Sequence, residues 1–253
     1  MSIILEAHRG VSNEYPENTL SALRAAVRLG YGMIEVDTKF TADNRCVLLH
    51  DRTLNRTARF ADGSTLPDNS AVCDWSFDQL RSLDFGLWKD DRFAGERIPS
   101  LEEALSVALE SGIPLKFDNV MWTHTEEQRR IMLNTIDQMG ALPVDGFTAG
   151  KLEQISELLN RFPTAHIHYD GIPDDESLTA LSKMLPRDQL TVWLRQHNQS
   201  TAWCKTPPAT RELAEKGKPV GSMGLWLLTL PEELENASLL GADIAETDGS
   251  LRP

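Results

Sequence analysis

Four short stretches of this sequence end in side chains that move protons, grip anions or hold cations. His8-Arg9-Gly10 closes the apolar run Ile3–Ala7, and Glu35 and Asp37 alternate with Ile34 and Val36. His50-Asp51 closes Cys46–Leu49, and Asp118 stands near the end of the run from Ile113 to Asn119. An imidazole titrates at about 6.5, so a histidine can accept or donate a proton near neutral pH. Two carboxylates at i and i+2 share one face of a strand. If that face is enclosed, they repel one another and need a cation. Taken singly, each feature has a plainer explanation: a histidine at a strand end more often serves structure, and a same-face Glu/Asp pair is usually solvated. Four such coincidences at four strand ends point to a site.

The elements needed to gather these residues are legible in the hydrophobic pattern. Apolar runs of four to six residues alternate with longer segments of helical period, the signature of repeated β–α units. Barrel strands are predicted at Ile3–Ala7, Met33–Phe40, Ile113–Asn119, Val144–Thr148, His166–Asp170, Leu190–Arg195, Met223–Leu228 and Ala242–Glu246. A helix is predicted over Glu17–Leu29 with Leu20, Leu23, Ala26 and Val27 on its apolar face. Ser100 and Glu103 form a capping-box pattern that opens another helix running to Ser111. Further helices centre near residues 132, 156, 180, 212 and 236.

Eight such strands with helices between them make an α/β fold, a (β/α)8 TIM barrel, the economical reading, because closure leaves no sheet edge. An open doubly wound sheet is the alternative, but no Gly-x-Gly-x-x-Gly follows the first strand to support it. Residues 51–98, rich in Asp, Arg, Gly and Ser, break the rhythm. They are predicted to be a small insertion after the second barrel strand, with one short helix over Phe77–Leu83. Residues 1–253 are therefore expected to form a single domain. Active sites of such barrels lie at the C-terminal ends of the strands, where the four polar stretches fall.

Composition narrows the partners. The 253 residues include 38 acidic and 25 basic side chains, a formal net charge of −13, and 41% are hydrophobic. That is apolar enough for a sizeable core, but the chain lacks the clustered Lys and Arg that nucleic acid or an anionic membrane surface demands. Neither is expected as a partner. No run of apolar residues is long enough to span a bilayer, and the first residues carry no basic n-region before Glu6. The three cysteines, Cys46, Cys73 and Cys204, are odd in number and far apart, as suits reduced thiols in the cytoplasm.

The stretches Ala7-His8-Arg9-Gly10, Tyr15-Pro16-Glu17-Asn18-Thr19, Ile34-Glu35-Val36-Asp37 and Leu49-His50-Asp51 stand in the order and spacing of the glycerophosphodiester phosphodiesterase (GDPD) family, which this sequence resembles. The resemblance continues through Leu54-Asn55-Arg56-Thr57, Ile98-Pro99-Ser100-Leu101-Glu102-Glu103, Leu225-Trp226 and Glu246-Thr247-Asp248. It implies a barrel phosphodiesterase that hydrolyses a small glycerophosphodiester to an alcohol and a phosphomonoester, an activity of lipid metabolism. One divalent cation, Mg²⁺ or Ca²⁺, would be held by Glu35, Asp37 and Asp118, whose hard oxygens suit either ion. Arg9 would grip a phosphate oxygen with its planar fork. His8 and His50 would serve as catalytic acid and base, with the assignment between them open, and the substrate's own neighbouring hydroxyl would attack first to give a cyclic phosphate. Glu17 matches the family's motif and is taken as a substrate contact, while Asn18 or Thr19 is either the helix cap or a ligand contact. Trp226 resembles an aromatic wall against the substrate. A homo-oligomer is left open.

Two departures from the family pattern stand out. The family usually carries Glu-x-Lys at the third barrel strand, where this chain reads Asp118-Asn119-Val120. A lysine stands instead at Lys116, on the same face but deeper in the barrel. It is taken as a substrate-site residue that needs a buried partner, with Glu6 and Glu246 as the candidates. In addition, His166, His168 and Asp170 share one strand face, and Trp193 and Arg195 share another. If these point inward, His168 and Arg195 join the substrate-binding set, and a hydroxyl-rich leaving group, as in opine-type sugar phosphodiesters, becomes an alternative. A lyase-like relative that releases cyclic phosphate is another, and an inactive barrel that only binds a phosphorylated ligand a third. Both histidines, Arg9 and three carboxylates are retained, which argues against the last.

Overall fold

The computed structural model describes residues 3–141, 146–195 and 208–253, apart from the side chains at 195, 208–211 and 213. Eight parallel strands close a barrel: β1 (Ile4–His8), β2 (Met33–Val36), β5 (Leu115–Phe117), β6 (Gly146–Ala149), β7 (His166–Tyr169), β8 (Leu190–Arg195), β9 (Ser222–Trp226) and β10 (Ile244–Thr247). The sheet order runs β1-β10-β9-β8-β7-β6-β5-β2 and returns to β1. These are the eight predicted barrel strands.

Two of them are much shorter than expected, and of the predicted Ile113–Asn119 only Leu115–Phe117 is strand. The run Met33–Phe40 is two strands, because the chain leaves the barrel at Asp37. The outer half, β3 (Thr38–Phe40), pairs antiparallel with β4 (Cys46–Leu48) across a turn in which Asn44 adopts φ 57°. A nearby antiparallel partner satisfies these backbone groups outside the barrel, and an asparagine tolerates the left-handed turn. Val144 and Pro143 lie outside the described residues.

The first helix, α1 (Leu20–Leu29), starts later than the predicted Glu17, because Asn18 takes φ 55° and Thr19 caps the helix by accepting from the Ala22 amide. Its fully buried side chains are Ala22, Leu23, Ala25 and Ala26, and Leu20 and Val27 pack partly buried against the same core. The short α2 (Phe77–Ser82) has its own capping box. In α3 (Leu101–Ser111) the capping box forms as predicted, with Ser100 Oγ accepting from the Glu103 amide and Glu103 accepting from the Ser100 amide at 2.9 Å. The ring continues with α4 (Glu126–Gln138), α5 (Leu152–Arg161), α6 (Asp175–Met184), α7 (Pro208–Gly217) and α8 (Pro231–Leu240). Among the described residues no helix is long and apolar enough to cross a membrane.

Strand parity divides the interior in two. Leu5, Ala7, Ile34, Val36, Phe117 and Ile167 point to the helices and form the apolar core. Their neighbours on the other face fill the barrel itself, where branched aliphatic residues are usual. Here that face carries Glu6, Lys116, His168, Trp193 and Glu246, all buried. Residues 51–98 build a second apolar cluster around Leu54, Val72, Leu80, Leu83, Phe85 and Ile98. This segment is tied to the β1–α1 loop, with Lys89 donating to the Ser12 carbonyl at 2.8 Å and Arg92 to the Glu14 carbonyl at 2.9 Å.

Candidate active site

A cavity of about 170 Å³ opens at the C-terminal ends of the strands. His8 and Arg9 from the end of β1, Glu35 and Asp37 from the end of β2, His50 after β4 and Asp118 after β5 all line it. The six residues that motif and chemistry single out thus come to one place from four separate strand ends.

Backbone geometry sets the first of them. Arg9 adopts φ 59°, a left-handed conformation that turns its amide onto Glu35 Oε2 at 3.0 Å. Gly10 follows at φ 77°, with so little room that a Cβ there would meet the Ala22 backbone at 2.7 Å. Asn18 holds Asp37 from both sides, donating Nδ2–H to Oδ2 at 2.9 Å and accepting the Asp37 amide at 3.2 Å. The Arg9 guanidinium pairs with Asp37 at 3.1 Å and with Glu17 at 3.0 Å.

The electrostatics follow from burial. Burial raises the Glu35 carboxyl well above its ordinary range, and the charges of Asp37, Glu246 and Asp118 push it the same way. Asp37 is also raised by burial, with Arg9 opposing and Asp118 reinforcing. Burial lowers His8, so its imidazole favours the neutral form, although Glu246 pulls the other way. Its Nε2 lies 3.9 Å from Glu35 and 3.8 Å from Glu246, and the Trp226 ring stands edge-on with centroids 6.4 Å apart. His50 is more open, with its Nδ1 2.6 Å from Asp51 Oδ1. Among the described residues no three Asp, Glu, His or Cys side chains already form a ready metal-holding cluster.

Under the cavity lies the expected ionic network. The Lys116 ammonium is 3.0 Å from Glu6 and 2.5 Å from Glu246, and it rests 3.7 Å from the Trp193 ring centroid. Burial disfavours its charge, but the two carboxylates outweigh that and hold it protonated. Burial raises the Glu6 carboxyl above its ordinary range, and the Lys116 charge beside it opposes that shift. Lys116 therefore forms the cavity floor with its donors committed to protein.

Other expected substrate contacts are placed differently. Glu17 does not line the cavity; it bonds Arg9 and Arg56, because its short loop turns it sideways along the rim. His168 faces inward but one layer too deep: it is 1% exposed, accepts the Trp193 indole N–H at 3.0 Å and packs against Gly146, where a Cβ would lie 2.6 Å from its Nε2. His166, at the base of β7, bonds Thr191 at 2.8 Å. The Arg195 side chain and Cys204 lie outside the described residues. Trp226 does line the cavity, opposite Asn119, Thr148 and Asp170. Asn119 donates to Asp170 at 2.5 Å. Arg56 was visible only as a member of a family stretch, Asp51 as the neighbour of His50 at a strand end, and Asn18 as either a cap or a ligand contact; nothing in their spacing shows what they bond.

Sequence comparison matches residues 8–217 to the glycerophosphoryl diester phosphodiesterase family. Glycerophosphodiester phosphodiesterase 1 of Bos taurus is 31% identical over 205 residues, which is 76% of this chain and 59% of that protein. This chain thus spans little more than half of that relative. Among solved structures, an Oleispira antarctica phosphodiesterase in complex with the product sn-glycerol-3-phosphate superposes with a TM-score of 0.75 at 20% identity, covering 97% of this chain and 93% of that one. A glycerophosphodiester phosphodiesterase from Thermotoga maritima gives 0.68 at 20% identity, with 99% and 96% covered. At that identity the structures speak for the shared barrel, and the sequence match runs from the first cavity histidine into α7: the chain belongs to the glycerophosphoryl diester phosphodiesterase family.

Proposed function

We propose that this protein hydrolyses a small glycerophosphodiester to an alcohol and a phosphomonoester, with one divalent cation, Mg²⁺ or Ca²⁺, as cofactor. The observation that carries this reading is the meeting of one arginine, three carboxylates and two histidines around a single cavity. The donor set fits a hard cation: Glu35, Asp37 and Asp118 offer carboxylate oxygens, and burial with repulsion from Asp37, Glu246 and Asp118 leaves Glu35 short of compensating charge. When bound, such a cation offsets the charge of the diester and stabilises charge developing on the phosphoryl oxygens.

The chain's own residues divide the remaining work. Arg9, held between Glu17 and Asp37, presents a fixed cation to the phosphate. The half-buried His8, which desolvation biases toward its neutral form, suits a base that accepts the attacking hydroxyl's proton. His50 gives its Nδ1–H to Asp51, so its imidazolium form, with a second proton on Nε2, can pass that proton to the leaving oxygen. Trp226 stands edge-on to His8 as an aromatic wall of the cavity. The free thiols of Cys46 and Cys73 support a reducing, cytoplasmic setting.

Phosphorus NMR of the products from sn-glycero-3-phosphocholine and from a sugar phosphodiester tests the reading. A phosphomonoester is expected from the first, with loss of turnover on chelation and return of turnover with Mg²⁺ or Ca²⁺. His50→Ala and Glu35→Ala should each lower kcat by about 10²-fold or more while circular dichroism is unchanged. Persistent cyclic phosphate would assign the lyase reaction, exclusive use of the sugar diester the other substrate class, and unchanged rates in both variants would overturn the site.

A further inference from the structure

One arginine outside the cavity touches both arms of the site. Arg56 belongs to the 51–98 segment, its side chain is 42% exposed, and it does not line the cavity. One edge of its guanidinium donates to Asp51, from Nε at 2.7 Å and from the terminal nitrogen at 3.0 Å. The other edge donates to Glu17, at 2.7 Å and 2.8 Å. Beyond Asp51 stands His50, 2.6 Å away. Beyond Glu17 stands Arg9 at 3.0 Å, and beyond Arg9 stands Asp37 at 3.1 Å. The Trp88 ring lies alongside, 5.7 Å from the guanidinium carbon.

We propose that Arg56 is a positioning residue that locks His50 and Arg9 into one geometry by clamping Asp51 and Glu17 together. This rests on the function proposed above. The clamp spans two parts of the chain, since Glu17 sits on the β1–α1 loop and Arg56 and Asp51 on the 51–98 segment. Bonds from Arg56 hold Asp51 down to about 2, so it stays ionised as the acceptor for His50. Glu17 is buried enough to be raised, but bonds from Arg56 and the charge of Arg9 hold it below its ordinary range. A planar fork with five donors can serve two carboxylates at once; an ammonium, a compact point charge, cannot reproduce both bidentate pairs.

The test uses the full chain with sn-glycero-3-phosphocholine. Arg56→Gln is expected to lower kcat/KM by about 10–100-fold, the range typical of outer partners that orient catalytic groups. Arg56→Lys should restore little of it, and millimolar guanidinium should recover part of the rate in Arg56→Gly. Cutting one arm at a time should split the parameters: Asp51→Ala lowers kcat, and Glu17→Gln mainly raises KM. Wild-type kcat/KM in Arg56→Gln, full rescue by lysine, or no response to guanidinium would overturn the clamp. If Arg56→Gln does not fold, the Asp51→Ala/Glu17→Gln double variant decides. Joined through one bridge, the two changes together cost less than the product of the single effects; a cost equal to that product overturns the clamp. An active wild type with unaffected variants sinks this inference alone, whereas a wild type that cleaves no diester sinks the function itself.

Discussion

Lys116 occupies a position where a barrel interior ordinarily carries an aliphatic side chain, and its neighbours show why it can stay charged there. Glu246 at 2.5 Å and Glu6 at 3.0 Å compensate the ammonium, and the Trp193 ring covers it. A buried ion pair recovers its desolvation cost only while every partner is present. Lys116→Met should therefore cost about 3–5 kcal/mol in urea denaturation, because it strands buried carboxylates. Replacing Glu6, Lys116 and Glu246 together with aliphatic residues should recover most of that. A loss under about 1 kcal/mol in the single variant would mean that the network contributes little. The parity of β1 and β5 made this contact foreseeable, since Glu6 precedes His8, and Lys116 precedes Asp118, by two residues. What parity could not supply was depth, and depth is what separates His168 beneath the floor from Trp226 at the wall.

The hairpin of β3 and β4 is the element that carries the chain from Asp37 to His50, and a buried histidine braces it. His124, at the end of the turn after β5, bonds Thr38 Oγ at 2.9 Å and packs edge-on against Phe40 with centroids 5.0 Å apart. Burial, with Lys39 and Arg129 adding to it, lowers this imidazole to about 4. In the unfolded chain it titrates near 6.5. Between these values the unfolded chain binds a proton that the folded chain refuses, so acid favours unfolding. Stability should fall as pH drops from about 6.5 to about 4, by at most about 3 kcal/mol from this group, and level off below. His124→Asn should flatten that part of the stability profile; an unchanged slope would show that another group titrates there. The sequence offered strands, caps and the α3 boundary through local periodicity. It showed Met33–Phe40 as one strand because alternation of apolar residues continues through Asp37, while the change of pairing partner is a long-range fact.

At the scale of the molecule, a net charge of −13 does not describe the site, where local carboxylates crowd a cavity that also holds Arg9. A cation that binds the folded cavity should raise the melting temperature, by an amount equivalent to about 2.7 kcal/mol at a hundredfold excess over Kd. Thermal melts with Mg²⁺ or Ca²⁺ against a chelator should show this shift, and Glu35→Ala should abolish it. An equal shift in that variant would place the ion elsewhere. By itself the sequence determined the eight-stranded barrel, the strand-end location of His8, Arg9, Glu35, Asp37, His50 and Asp118, and the family. These depend on periodicity, residue chemistry and motif order, which are local and linear. Only the tertiary structure decided that Glu17 turns from the cavity to the rim, that Asn18 holds Asp37, and that Arg56 joins Asp51 to Glu17. Those contacts depend on left-handed backbone at Arg9 and Asn18 and on the packing of residues 51–98 beside the β1–α1 loop. Bonds between groups distant in sequence exist only once the barrel has closed and the side chains compete for the same few partners.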